Sequence, residues 1–208
     1  MQTKKMRTKK HLGTAIMVLG LVLVLAAACL TAYNLWDENR AERAMTDVLT
    51  KIDALEEAIV TDSSPIDEPE YIKNPEMEMP VLVLDGKSYI GVIEVPVLGL
   101  RLPIMSEWSY PNLKISPSRY TGSIYMNNMV IAGHNYRSHF SSLKNLRVGD
   151  QVLFTDVDGN QFDYRVAETE IVAPTEIEHM TIGDWDLTLF TCTYGGRTRF
   201  TVRCVQAQ

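Results

Sequence analysis

Residues Leu12 to Tyr33 read LGTAIMVLGLVLVLAAACLTAY, 22 positions without a charged side chain. Inside lipid the backbone can bond only to itself, so such a run has to be helical. About 20 apolar residues span the hydrocarbon core. Lys4, Lys5, Arg7, Lys9 and Lys10 precede the run, and the first acid, Asp37, follows it. That asymmetry holds the N-terminus on the cytoplasmic side and puts the rest of the chain outside the cell membrane. The run also has the basic start, apolar centre and small residues (Ala26 to Ala28) of a cleaved signal peptide. Lipidation at Cys29 after cleavage is a third reading, but Ala26 stands where a large aliphatic is usual. The apolar stretch continues past Cys29, with Tyr33 and Trp36 as interfacial aromatics, which favours the uncleaved anchor.

The expected organisation is a basic cytoplasmic tail over 1–11 and a single-pass anchor over 12–35. A stalk and linker over 36–80 and a globular body over 81–208 come next. In the stalk, Met45, Val48, Ile52, Leu55 and Ile59 recur at spacings of three and four, the seam of an amphipathic helix. Two heptads are too few for a coiled-coil dimer; a helix lying on its own domain, or a spacer, is the simpler reading. The linker TDSSPIDEPEYIKNPEMEMP has four prolines among many acids and reads as extended. After the tail, 15 basic residues face 26 acidic ones, a net charge of −11. Nucleic acid, which requires basic patches, is therefore not an expected partner.

From Val81 the periodicity changes. YIGVIEVPVLGLRLPIM, NNMVIAGHN, DQVLFTDVDGNQFDYRVAETEIVAP, LTLFTC and RFTVRC are short, rich in β-branched and aromatic residues, and broken by Gly, Pro, Asn and Asp. Asp158-Gly159-Asn160 marks a hairpin, and a short turn is expected around Ser141 to Leu146. Seven or eight such strands with no long helix between them predict a mostly β fold, a closed or nearly closed barrel rich in antiparallel pairs.

Leu187 to Cys204 reads LTLFTCTYGGRTRFTVRC. With Gly195-Gly196 at the centre of a tight turn, Tyr194 faces Arg197, Thr193 faces Thr198, Cys192 faces Arg199, Phe190 faces Thr201 and Leu187 faces Cys204. Alternation puts Leu187, Leu189, Thr191, Phe200, Val202 and Cys204 on an apolar face. Thr188, Phe190, Cys192, Arg199, Thr201 and Arg203 form a polar one. The two cysteines are thus on opposite faces and roughly 16 Å apart at about 3.3 Å per residue. A disulfide needs Cα atoms within about 7 Å, so none is expected. Cys204 reads as a core thiol. Cys192, on the polar face, is either a small buried hydrophobe or a nucleophile. A thiol needs a base or a cation to become reactive, and Arg199 supplies a permanent charge across the strand pair. For the base, His11 abuts the apolar run, and His139 and His179 fall in polar loop sequence where solvation would account for them, although composition alone separates His139 from His134 only slightly. His134 ends the strand MVIAGH, with Gly133 leaving room for close approach.

From about Gly91 to Arg203 these segments resemble the sortase family of cysteine transpeptidases. IGVIEVPVLGLRLPI resembles the family's first strands and VIAGHN its histidine strand. SLKNLRVGDQVLFTD with FDYRVAETEIVAP resembles its central strands, TLFTC its TLxTC motif, and RFTV the strand bearing its arginine. The resemblance implies an eight-stranded sortase barrel with His134, Cys192 and Arg199 as the catalytic residues. It also implies substrate proteins with a C-terminal LPXTG-like signal, cut through a thioacyl enzyme. The acylated protein passes to an amine of a cell-wall precursor or a pilin lysine. Thr191, Thr193, Phe190 and Thr201, flanking the cysteine and arginine, are the expected substrate contacts. No cofactor is implied. The loop after the histidine strand, NYRSHFSSLKNLRVGD, has no acid before Asp150, so no calcium or other metal site is expected. SSPIDEPEYIKNPE lacks an Asp-Pro-aromatic lid motif, and no second apolar segment follows Arg203, which points away from a dedicated pilin polymerase. The rival readings are a cysteine protease or hydrolase using the same three residues, and a non-enzymatic tethered binding barrel.

Overall fold

The structure, a computed structural model, describes residues 2–60, 68–193 and 195–207. The chain forms two compact units, Met1–Arg40 and Ala41–Gln208. The first lies within a long helix, α1 (Gln2–Val60), whose apolar side chains from Ile16 to Trp36 are exposed. This helix is long and apolar enough to cross a membrane.

The second unit starts earlier than the sequence pattern led us to expect. Its boundary is Ala41 rather than the region of Val81, because the seam of α1 packs on the body. Val48 and Ile52 join Tyr89, Val92 and Met105 in one buried cluster, and Met45 enters the main core. Arg101 ties Asp53 to the same surface at 2.7 Å. The Ile59 side chain lies outside the described residues, as do residues 61–67 of the proline-rich segment. The rest of that segment is mostly exposed and is pinned to the body at a few points. It holds α2 (Glu70–Lys73), from which Tyr71 stacks on Tyr125 at 4.6 Å, and Met79 is buried in the core.

Among the described residues, nine strands follow: β1 (Leu82–Leu84), β2 (Lys87–Val95), β3 (Leu100–Met105), β4 (Ser118–Thr121), β5 (Met129–Gly133), β6 (Gln151–Asp156), β7 (Gln161–Val172), β8 (Leu187–Cys192) and β9 (Arg199–Gln206). Single turns of helix, α3 (Tyr110–Leu113) and α4 (Ile177–Thr181), lie before β4 and β8. The order β2-β3-β4-β5-β8-β9-β7-β6 closes through β6 pairing with β2, which makes an eight-stranded barrel with β1 appended to β2. Two contacts are parallel, β3 with β4 and β5 with β8; the others are antiparallel. The expected hairpin at Asp158 to Asn160 joins β6 to β7 and winds around the Asp156 carboxylate. Asp156 accepts from the backbone of Asp158 and Asn160 and from the Tyr125 hydroxyl. The expected turn near Ser141 is a 3₁₀ helix over Ser141–Asn145.

His139 lies in the loop after β5 and is fully buried, not solvated as its polar sequence context suggested. Neither ring nitrogen makes a well-formed hydrogen bond among the described residues, and the Ile115 backbone only weakly favours the charged ring. Burial, reinforced by the nearby His134, pushes its pKa down to about 3. The folded state therefore keeps His139 neutral, whereas the unfolded chain takes up a proton near pH 6.5. Its stabilising contribution is complete above pH 6.5 and is lost as the pH falls towards 3.

This packing has two measurable outcomes. Ile52→Ala should cost the second unit about 2–4 kcal/mol, whereas Leu55→Ala, 41% exposed on the same seam, should cost less than about 1 kcal/mol. Equal costs in urea unfolding would mean that the seam does not dock. For His139, the urea midpoint of the wild type should decline between pH 6.5 and 4, and that of His139→Gln should decline less over the same range. Parallel curves would show that the buried ring does not titrate as described.

Candidate active site

The three residues singled out by sequence come from three neighbouring strands. β5 and β8 run parallel, with Met129 opposite Leu187 and Gly133 opposite Thr191. His134 and Cys192 each stand one residue beyond that last pair, at or just past the same strand ends. β9 returns antiparallel to β8 with Cys192 opposite Arg199, Phe190 opposite Thr201 and Leu187 opposite Cys204, the register counted from the sequence. The turn between them is wider than a two-residue one. Thr193 and Thr198 close it through a backbone bond of 3.0 Å and a hydroxyl pair at 2.7 Å, leaving four residues in the loop. Gly195 and Gly196 both have positive φ, but Gly196 N–H donates to Thr193, so the sharp bend comes one residue earlier than expected. Tyr194, expected opposite Arg197, lies outside the described residues.

The side chains meet at a cleft of about 270 Å³ on the barrel rim, lined by His134, Cys192 and Arg199 together. Cys192 is half-buried, and Cys204 lies in the core on the other face of the hairpin. Burial pushes the Cys204 thiol up to about 12, so it stays protonated and inert. The Arg199 guanidinium leans back on its own turn, where Nη1 donates to the carbonyls of Gly196 and Thr198, each at 3.2 Å. Gly133 permits the approach beneath His134, since a Cβ there would strike the buried Phe140 ring. Tyr136 stacks on the His134 ring with centroids 4.5 Å apart and planes 16° apart, and His139 tilts against Tyr136 at 5.1 Å.

Two walls extend from these residues. One is aromatic: Trp108 meets Tyr110 and Tyr120, and Tyr120 meets the β8 residue Phe190 edge-on at 5.4 Å. Its turn is set by Ser109, whose hydroxyl accepts from the Asn112 backbone at the start of α3. The other wall is Pro174, Ile177 and Met180, from the segment carrying α4. Neither wall carries an acidic residue among those described.

Phe190 lines the cleft, whereas the three threonines named with it do not. Thr191 alternates inward and is buried; Thr201 lies beneath the polar face, also buried. Neither hydroxyl has a partner among the described residues. Thr193 is committed to Thr198 in the turn. The sequence reading missed the aromatic wall, although Trp108, Tyr110 and Tyr120 crowd the otherwise polar EWSYPNLKISPSRY and could have marked it. It also left Arg203 without a role. This guanidinium is buried and bonded to Glu170, to Thr188 and to the carbonyls of His179 and Met180. His179 sits near the surface with its ring on Glu170 at 2.8 Å.

A family model described as Sortase domain matches residues 93–207. A curated relative, Sortase A of Bacillus anthracis, is 26% identical over 185 residues, covering 84% of this chain and 85% of the relative. Among solved structures, a Clostridium perfringens Sortase D5 transpeptidase is similar with a TM-score of 0.57 at 20% identity, covering 82% of this chain and 99% of that one. A Clostridium perfringens sortase C, solved with the C-terminal cell wall sorting motif, has a TM-score of 0.58 at 24% identity and covers 77% of this chain and 99% of its own. These solved structures share the fold, while the family model spans more than half of the sequence. The chain belongs to the sortase family.

Proposed function

We propose that this chain is a membrane-anchored transpeptidase that cuts an LPXTG-like signal near the C-terminus of client proteins and passes the client to an amine. The observation that carries the reading is the meeting of Cys192, His134 and Arg199 on one rim, at the mouth of a cleft with apolar walls. Apolar and aromatic walls without a carboxylate suit the leucine and proline side chains of such a signal. A sorting motif is what the similar Clostridium perfringens sortase C was solved with.

Cys192, as thiolate, attacks the carbonyl carbon of the signal's threonine. A C–S bond forms and negative charge moves to the carbonyl oxygen. Arg199, released from its turn, donates to that oxygen, and donors of this kind typically stabilise a transition state by about 3–4 kcal/mol. The C–N bond then breaks, and His134, as imidazolium, gives its proton to the departing amine. The thioester holds the client. An acceptor amine attacks it, neutral His134 takes the amine proton, the C–S bond breaks and the thiolate returns. The acceptor we favour is the amine of a cell-wall precursor rather than a pilin lysine. The apolar helix tethers the catalytic unit at the outer face of the membrane, with the lysine-rich N-terminus inside. Phe190 is the substrate contact retained from the sequence reading; Thr193 closes the hairpin turn instead, and Thr191 and Thr201 are buried.

Mixing the protein with LPXTG-type peptides, with and without an amine, tests the reading by mass spectrometry. A thioester on Cys192 and an amine-dependent joined product are expected, and Cys192→Ala should give neither. Peptide hydrolysis indifferent to the amine would instead identify a hydrolase with the same three residues. No reaction and sluggish alkylation of Cys192 would leave a binding barrel. In the folded Arg199→Ala variant, turnover should fall by roughly 10²–10³-fold, the usual loss on removing an oxyanion donor. His134→Ala should suppress both acylation and transfer.

A further inference from the structure

Arg203 is 2% exposed, although the exposed catalytic mouth lies only four residues away on the same strand. A buried guanidinium persists only where its donors are matched. Here Nε donates to Glu170 Oε1 at 2.8 Å, and Nη1 to the Met180 carbonyl at 2.9 Å and to Thr188 Oγ1 at 3.1 Å. Nη2 donates to the His179 carbonyl. The partners come from β7, α4 and β8, so one side chain joins three elements. The other Glu170 oxygen, Oε2, pairs with His179 Nε2, which adds a second link from β7 to α4.

What this joint holds is the wall of the cleft. α4 has five residues and no side-chain cap at its start, and Ile177 and Met180 on it face the substrate space. One isolated helical turn has no stability of its own, so its position is that of its ties. Arg203 binds the carbonyls of His179 and Met180, at the end of that turn. Alternation puts Arg203 on the face of Arg199 but about 13 Å along the strand, too far to touch the reacting atoms.

We infer that Arg203, with Glu170, is a positioning residue for the sorting signal, clamping α4 so that Ile177 and Met180 form a fixed wall of the cleft. The inference rests on the reading of that cleft as the sorting-signal groove. Burial opposes charge on Glu170, but its bonds with His179 and Arg203 outweigh this and hold the carboxyl below the usual range. A depressed carboxyl contributes fully above its unfolded pKa and is lost only in acid, so the clamp is engaged at neutral pH.

Two measurements on the full chain test it, for wild type, Arg203→Leu and Glu170→Gln. The first, amide hydrogen exchange over residues 177–182, needs no substrate. Exchange should speed up by roughly tenfold or more in both variants, while β5 and β8 stay protected. The second is turnover of an LPXTG-type peptide with an amine. KM should rise by roughly five- to tenfold, with kcat and the rate of Cys192 alkylation by iodoacetamide within about twofold of wild type. Unchanged exchange and unchanged KM would overturn the inference. So would a fall in kcat and alkylation with KM constant, which would mark Arg203 as a general support of the barrel. Should Arg203→Leu not fold, Glu170→Gln, which keeps the shape and one acceptor, decides between these outcomes. Should the wild type join no peptide to the amine, the groove reading fails, and exchange alone decides whether the clamp exists.

Discussion

Parallel pairing between β5 and β8 places the candidate site. Antiparallel neighbours joined by a short turn would present the end of one strand beside the start of the next. In a parallel pair both chains leave the sheet at the same rim, so the residues after Gly133 and Thr191 are delivered side by side. Those residues are His134 and Cys192. Such a pair needs a long connection, and here the chain between β5 and β8 builds β6 and β7 and closes the barrel before it returns. The antiparallel return of β9 then brings Arg199 to the same rim by local pairing alone. A slip of one residue in either register would turn one of the three side chains to the opposite face of the sheet.

Much of this was legible because strand periodicity is a strong local signal. The register of β8 with β9 could be counted residue by residue, since Cys192, Arg199, Phe190 and Thr201 alternate cleanly around a short turn. The Gly196 bond to the Thr193 carbonyl did not alter the count, because Thr193 and Thr198 close the loop either way. Closure of the barrel is a long-range pairing of Gly91 to Glu94 with Leu153 to Asp156, which no local pattern announces. The start of the compact unit was misplaced for a related reason. Val48 and Ile52 reveal an apolar stripe but not the surface it covers, which consists of Tyr89, Val92 and Met105, roughly 40–55 residues onwards.

The walls of the cleft were the least legible part. Trp108 and Tyr120 come from the connection between β3 and β4 and from β4 itself, and Ile177 and Met180 from the connection between β7 and β8. They become neighbours only when the barrel closes. The threonines beside Cys192 were expected to touch substrate because they adjoin it in sequence. In a strand, adjacency sends Thr191 to the opposite face, and Thr201, on the correct face, lies too deep.

The resting position of Arg199 bears on selectivity between states of the reaction. Its Nη1 already donates to two peptide carbonyls of the turn, those of Gly196 and Thr198. On the proposed mechanism, the guanidinium must exchange acceptors to serve an incoming client. Exchanging a turn carbonyl for the neutral carbonyl of an intact signal is close to an even trade, so little of this contact is expressed in substrate binding. Once Cys192 has added and the oxygen carries charge, the same donors face an anion, and bonds of that type are about twice as strong. On that mechanism the turn acts as an internal competitor that offsets the arginine's affinity for the ground state. The remainder is available to the tetrahedral species, the condition under which binding energy lowers a barrier.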